Sequence, residues 1–331
     1  PGEAQIIATT NAILDVAQCA TSGITNALTI TWTVRFKSPM SGVTYNQYLN
    51  VEDKAGASSG WRQVGTWHVN RAPTLGAVSP KSGQSAPGVL RIFQAVYMDA
   101  EGAGDLANVY FLVNVTATPA NACYARYDQV SNLLYMANDS GVFGSGVAPG
   151  TPNAVLSNSY AALDAGQSLV TRSGTSLTVR WAIRFKAASS GKDYKLYLRA
   201  DDRWGATSGF RNKGTWTVNR PPTVSPTLPD TGYAGPWGLQ YFTATYTDPD
   251  GWQDLAEACL LIDHDTSAAY GVYVRYDRSS GLLYLRNDQD TAWLGGYAPG
   301  SATTMQNGQA ILDVAQTTVS GSGTNLQIRW A

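Results

Sequence analysis

The sequence predicts an all-β protein made of tandem antiparallel β-sandwich domains on a 149-residue repeat, and three observations carry that reading. The first is internal repetition: Trp32-Thr-Val-Arg-Phe-Lys37 returns as Trp181-Ala-Ile-Arg-Phe-Lys186, with 181 − 32 = 149, and the same step carries Trp181 onto Trp330. A fixed period of that size marks whole domains in tandem. The second is alternation. In Leu177 to Phe185 the odd positions Leu177, Val179, Trp181, Ile183 and Phe185 point one way and Thr178, Arg180, Ala182 and Arg184 the other, as in a half-buried antiparallel strand. The third is that no amphipathic helix longer than a turn or two is apparent, while Gly, Asp, Asn, Ser and Pro punctuate short apolar runs throughout.

The register of the repeat is set between residues 29 and 74. There Gly42, Tyr48, Leu49, Asp53, Gly56, Gly60, Gly65, Trp67 and Asn70 meet Gly191, Tyr197, Leu198, Asp202, Gly205, Gly209, Gly214, Trp216 and Asn219. A third copy shows in the alignment of Ile13-Leu-Asp15, Ala162-Leu-Asp164 and Ile311-Leu-Asp313. Further strands are expected over 194–200, 242–246, 272–276 and 282–285, and about nine per repeat in all. Asn70-Arg-Ala-Pro-Thr74 and Asn219-Arg-Pro-Pro-Thr223 are the domain junctions, because proline cannot continue a ladder and stiffens a connection. Residues 1–71 are then the closing part of one repeat, 72–220 a complete repeat and 221–331 the opening part of a third. Short proline junctions favour a semi-rigid rod over beads on a string.

At 331 residues each repeat can bury its own core, so no staple is needed on grounds of size. Charged residues are 14% and the net charge is −1, which excludes the basic field that nucleic acid requires. No apolar run is long enough to span a bilayer. A chain beginning at Pro1 is read as a mature form or an excerpt. Cys19, Cys123 and Cys259 do not recur at the 149-residue step, facing Ser168, Val272 and Tyr110, so they are read as small buried apolar residues. His68 and His264 face Thr217 and Val115 and belong to no duplicated site. With no nucleophile elbow, phosphate loop or metal-spaced Cys/His cluster, no catalytic residue is assigned and the chain is read as a non-enzyme.

The strongest local motif is Tyr246-Thr-Asp-Pro-Asp-Gly-Trp-Gln-Asp-Leu255, matched by Tyr97-Met-Asp-Ala-Glu-Gly-Ala-Gly-Asp-Leu106. Asp99, Glu101 and Asp105, like Asp248, Asp250 and Asp254, place three carboxylates around a glycine turn. Such oxygens suit calcium, but calcium takes about six to eight ligands and the EF-hand spacing is missing. The competing reading is that Asp and Gly make the turn itself. Asp128 and Asp277 fall in hairpin loops, and Asp201-Asp202 is read as a solvated strand end.

Ten tryptophans and eighteen tyrosines raise a carbohydrate-binding alternative, since an exposed aromatic ring can stack on a sugar. Trp204, Trp237, Trp252 and Trp293 are its candidates: they lie in loops and face the small residues Ala55, Gly88, Ala103 and Gly144. Trp32, Trp67, Trp181 and Trp216 lie on strands and are read as core. Asn114-Val-Thr116 and Asn138-Asp-Ser140 fit the glycosylation sequon, although Asp263 replaces Asn114 one period on.

The strings Tyr273-Val-Arg-Tyr-Asp277, Leu282-Leu-Tyr-Leu-Arg-Asn-Asp288, Trp293-Leu-Gly-Gly296, Ala298-Pro-Gly-Ser301, Val319 to Thr324 and Gly214-Thr-Trp-Thr-Val218 resemble bacterial immunoglobulin-like repeats found in tandem on large secreted or cell-surface proteins. The resemblance implies an extracellular or cell-surface β-sandwich array serving adhesion, stalks or matrix. It names no ligand.

The expected function is therefore structural, with carbohydrate binding as the alternative. The partners expected are the chain itself, as a head-to-tail neighbour, or adjacent repeats of the same chain, with glycans under the alternative. Residues 221–331 lack equivalents of the strands over 45–51 and 65–70, which 1–71 contain, so one copy could complete another by strand addition. Against this, 1–33 and 299–331 are equivalent and compete for one place, and an excerpt cut from a longer continuous array explains the ends equally well.

Overall fold

The computed structural model describes residues 5–331, which form strands and short 3-10 turns with no α-helix among them. The chain divides into two compact units. The first takes in residues up to Thr217 except Ser85–Pro87 and Ser190–Lys192; the second comprises those two stretches and Val218–Ala331.

The central repeat, in the first unit, is a sandwich of two antiparallel sheets. One runs in the order Val155–Ser157, Ala161–Asp164, Ser176–Phe185, Leu90–Met98, Thr74–Ser79, with Leu169–Ser173 also on Ser176–Phe185. The other runs Leu133–Met136, Cys123–Asp128, Leu106–Asn114, Lys192–Asp202, Arg211–Val218, Gln84–Ser85. Alternation decides which side chains face inward, and the odd positions from Leu177 to Phe185 are all buried. Aromatic rings meet between the sheets: Phe93 lies 5.2 Å from Phe111 and 4.9 Å from Trp216, and Trp181 stacks 6.1 Å from Phe111. The buried Tyr97 hydroxyl donates to the Tyr110 carbonyl at 2.9 Å, tying one sheet to the other. Twelve strands form between 72 and 220 rather than about nine, because several short edge strands lie in loops with too few residues to show alternation.

Within the second unit the same plan recurs. Sheets of Thr223–Val224, Phe242–Thr247, Asn325–Trp330 and Thr318–Ser322, and of Glu257–Ile262, Val272–Asp277, Leu282–Arg286 and Trp293–Tyr297, enclose Tyr246, Leu283, Leu285, Met305, Leu326, Ile328 and Trp330. The Tyr246 hydroxyl donates to the Cys259 carbonyl at 2.8 Å, repeating the Tyr97 tie one period on. Glu257–Ile262 pairs only with Val272–Asp277, whereas its counterpart Leu106–Asn114 is paired on both sides.

Residues 5–71 form strands at the positions the period requires, but in three separate groups: Ile6–Ala8 with Ala12–Asp15 and Val34–Phe36, Ala20–Ile24 with Ala27–Thr31, and Val43–Leu49 with Arg62–Val69. Their apolar side chains are left largely uncovered. Trp32 is 60% exposed where Trp181 is 0%, and Trp67 is 53% exposed where Trp216 is 4%. The expectation that all four lie on strands and are core thus holds for the central pair only: Trp67 is on a strand but exposed, and Trp32 falls in the break between Ala27–Thr31 and Val34–Phe36, where Trp181 lies within the continuous Ser176–Phe185.

Identical substitutions should therefore have unequal effects. Trp181→Ala is expected to destabilise the first unit by about 3–5 kcal/mol, and Trp32→Ala by less than about 1 kcal/mol, measured by denaturant unfolding.

Candidate functional site

The acidic turn is built the same way in both copies. After Leu90–Met98, Asp99 accepts the Glu101 amide on Oδ1 at 3.0 Å, and its carbonyl accepts the Gly102 amide at 3.1 Å. After Phe242–Thr247, Asp248 does the same for Asp250 at 2.8 Å and Gly251 at 3.0 Å. Gly102 and Gly251 take φ of +131° and +114°, where a side chain is strained, and a 3-10 turn follows each. The turn reading thus accounts for Asp99 and Asp248, both of which are buried.

The two corners differ in what surrounds the acids. In the second unit the carboxylates of Asp248, Asp250 and Asp254 come within 4.8 Å of one another. Arg220, from the junction, clamps Asp250: its Nη2 lies 2.7 Å and its Nε 3.1 Å from Oδ1, and its amide donates to Oδ2 at 2.9 Å. Those hydrogen bonds hold the Asp250 carboxyl below the usual range. In the first unit the equivalent Arg71 lies over Gly42 as Arg220 lies over Gly191, but it makes no hydrogen bond to Glu101. His68 faces Glu101 at 3.4 Å, and Asn70 donates to Asp202 Oδ2 at 2.7 Å. Burial above all raises the Asp99 carboxyl to about 6; the Glu101 amide works against this, and the charges of Glu101 and Asp105 add to it. His68 and Arg220 escaped sequence reasoning as members of this corner, since only the fold brings the junction to a turn some thirty residues away.

Asp202 is a buried turn former rather than a solvated strand end. Its Oδ1 accepts the Trp204 and Ala206 amides, and Asp201 pairs with Arg199 at 2.8 Å. Cys123 is buried, Cys19 and Cys259 are partly so, and all three are free thiols. His68 carries an exposed ring, and His264 is exposed. Asn114 is buried, its amide nitrogen donating to the Thr118 and Ala120 carbonyls, so that sequon does not sit on an open loop, while Asn138 is exposed.

The four candidate tryptophans sit in different local settings, Trp252 opening a 3-10 turn and Trp293 a strand rather than lying in loops. Trp204 belongs to the first unit and donates from Nε1 to Asp105 Oδ2 at 3.2 Å. Trp293 is held by Arg275 at 4.3 Å, Arg286 at 4.9 Å and Tyr273 at 4.9 Å. Trp252 lies against Gly321, where a Cβ would come within 2.4 Å of the indole. Trp237 is 92% exposed, on a loop that also presents the exposed Tyr233.

The Asp99 environment has a pH signature. Its folded-state pKa of about 6 lies above an unfolded value of about 3.9, so the folded state binds the proton more tightly. Stability from this group is fully present below about pH 4 and is lost as pH rises through about 6. With divalent cations chelated, Asp99→Asn should flatten the decline in first-unit stability between about pH 4 and 7, followed by thermal unfolding.

No family model matches the chain, and no curated protein matches it. Among solved structures, it is similar to the crystal structure of BcpA, the major pilin subunit of Bacillus cereus, at 8% identity and a TM-score of 0.25, over 91% of this chain and 76% of that one. At that level the likeness carries no argument about this chain.

Proposed function

We propose that the chain is a non-enzymatic structural segment of an extracellular or cell-surface bacterial protein, a tandem array serving a rod, stalk or filament in adhesion or matrix, in which the sheet edge at Glu257–Ile262 is paired by strands equivalent to 192–202, from an adjacent repeat of the same protein or from a second copy. The observation that carries this reading is the contrast between equivalent strands. The hairpin Val43–Leu49 with Arg62–Val69 exposes apolar residues whose equivalents on Lys192–Asp202 and Arg211–Val218 are buried, and Glu257–Ile262 offers an unpaired edge where its counterpart has a partner. An exposed apolar sheet face and a free edge both favour association.

The register follows from the central repeat. Phe111 pairs with Leu198 and Val109 with Ala200, so one period away Leu260 takes Leu49 and Ala258 takes Val51. The competition between 1–33 and 299–331 is avoided if the hairpin alone is donated, because Thr304–Gln306, Ile311–Asp313, Thr318–Ser322 and Asn325–Trp330 already fill the other places. No helix is long and apolar enough to cross a membrane among the described residues.

In a cysteine-free background, Leu49→Cys with Leu260→Cys is expected to cross-link separate chains into a head-to-tail ladder on oxidation. Tyr48→Cys with Leu260→Cys is the control and should not link, because neighbouring residues of a strand point to opposite faces of the sheet. Monomers only, at all concentrations tested by sedimentation, contradict completion by a second copy.

A further inference from the structure

In the central repeat the strand Arg211–Val218 has Lys192–Asp202 on one side and the stretch around Gly83 on the other. The Thr215 amide donates to the Lys81 carbonyl at 2.9 Å and the Thr217 amide to the Gly83 carbonyl at 3.0 Å. Between those two bonds the Trp216 indole lies on Gly83, where a Cβ would come within 2.6 Å of the ring, and it meets Phe93 at nearly a right angle with the ring centroids 4.9 Å apart. Glycine at 83 thus answers a close approach, since any side chain there would displace the indole.

One period on, the glycine is kept and the indole is not. Gly232 stands for Gly83, yet a Cβ on it would meet nothing within 4 Å, and its φ lies outside the left-handed region. Phe242 stands for Phe93 and is partly exposed where Phe93 is fully buried. No backbone amide among the described residues donates to the carbonyl of Asp230 or Gly232, the equivalents of Lys81 and Gly83. Neither turn geometry nor a neighbour in this chain accounts for a glycine at 232. The side chain that does stands on the open hairpin: Trp67 is the equivalent of Trp216, is exposed, and lies on Arg62–Val69, which pairs only with Val43–Leu49 and so has a free edge.

We propose that Gly232 and Phe242 form a socket for the Trp67 indole of a second copy of this chain, with the Thr66 and His68 amides of that copy donating to the Asp230 and Gly232 carbonyls. The socket presupposes that a second copy completes the open edge, and it gives that completion a second seam: Val43–Leu49 takes the edge at Glu257–Ile262 while Arg62–Val69 lies along the loop at 230–232. A tryptophan enclosed in a pocket is the kind of residue that anchors an interface, and extra methyl groups on the floor of its pocket weaken the fit.

The test uses the whole chain, with the cross-link between Leu49→Cys and Leu260→Cys as the readout of association. Gly232→Val should raise the chain concentration needed for half-maximal cross-linking at least about tenfold, and should cost nothing further once Trp67→Ala is present, since the two act through one contact. Below the concentrations at which chains associate, it should leave the melting temperature of the second unit unchanged, because the space at Gly232 is open. Gly235→Ala, on the same loop where the central repeat carries Ala86, should change neither. A cross-link as efficient in Gly232→Val as without it overturns the socket and leaves the paired edge standing; so does an effect of Gly232→Val that persists in full alongside Trp67→Ala. A fall in the second unit's melting temperature shows the space to be filled within one chain and overturns the socket too. No cross-link at any concentration overturns completion by a second copy, and the socket with it.

Discussion

The long strands of this chain carry apolar faces, and the rest of the structure depends on whether a second sheet covers them. Where one does, Phe93, Phe111, Trp181 and Trp216 come together from two sheets, with Tyr97 spanning the gap to the Tyr110 carbonyl. Burying such side chains is the main favourable term, at roughly 25 cal/mol per Å² of apolar surface. Where none does, as in residues 5–71, the same sequence pattern gives paired strands with their aromatic residues in water. Local pairing and burial are separable here because the repeat presents both states in one chain.

Much of the fold was legible because the pattern has period two and recurs. The strands Ser176–Phe185, Val272–Asp277 and Leu282–Arg286 lie where alternation put them, to within about a residue or two at their ends. The short strands Val155–Ser157 and Gln84–Ser85 were not legible, since so few residues cannot show a period. Nor was the exposure of Trp32 and Trp67: Trp67 sits on an ordinary strand and Trp32 in a break between two, and neither is covered by a second sheet as Trp216 and Trp181 are.

The site was legible in part and for a similar reason. Asp99, Glu101, Asp105 and their counterparts could be found from the motif, because turns are made by neighbours in sequence. That Arg220 reaches Asp250 while no hydrogen bond joins Arg71 to Glu101 was not, because both arginines lie over the equivalent glycines Gly191 and Gly42 and only the fold decides how far each guanidinium extends. Equivalent motifs thus carry different electrostatics. The repeat keeps its turn and varies the charge around it.

The central claim is that the open edge and the open hairpin belong together, and amide hydrogen exchange along Glu257–Ile262 tests it most directly. If separate chains complete one another, the amides that the edge leaves unpaired become protected as chain concentration rises, and deletion of the hairpin over 43–69 removes that protection. Exchange that is the same at every concentration, with and without the hairpin, contradicts the account.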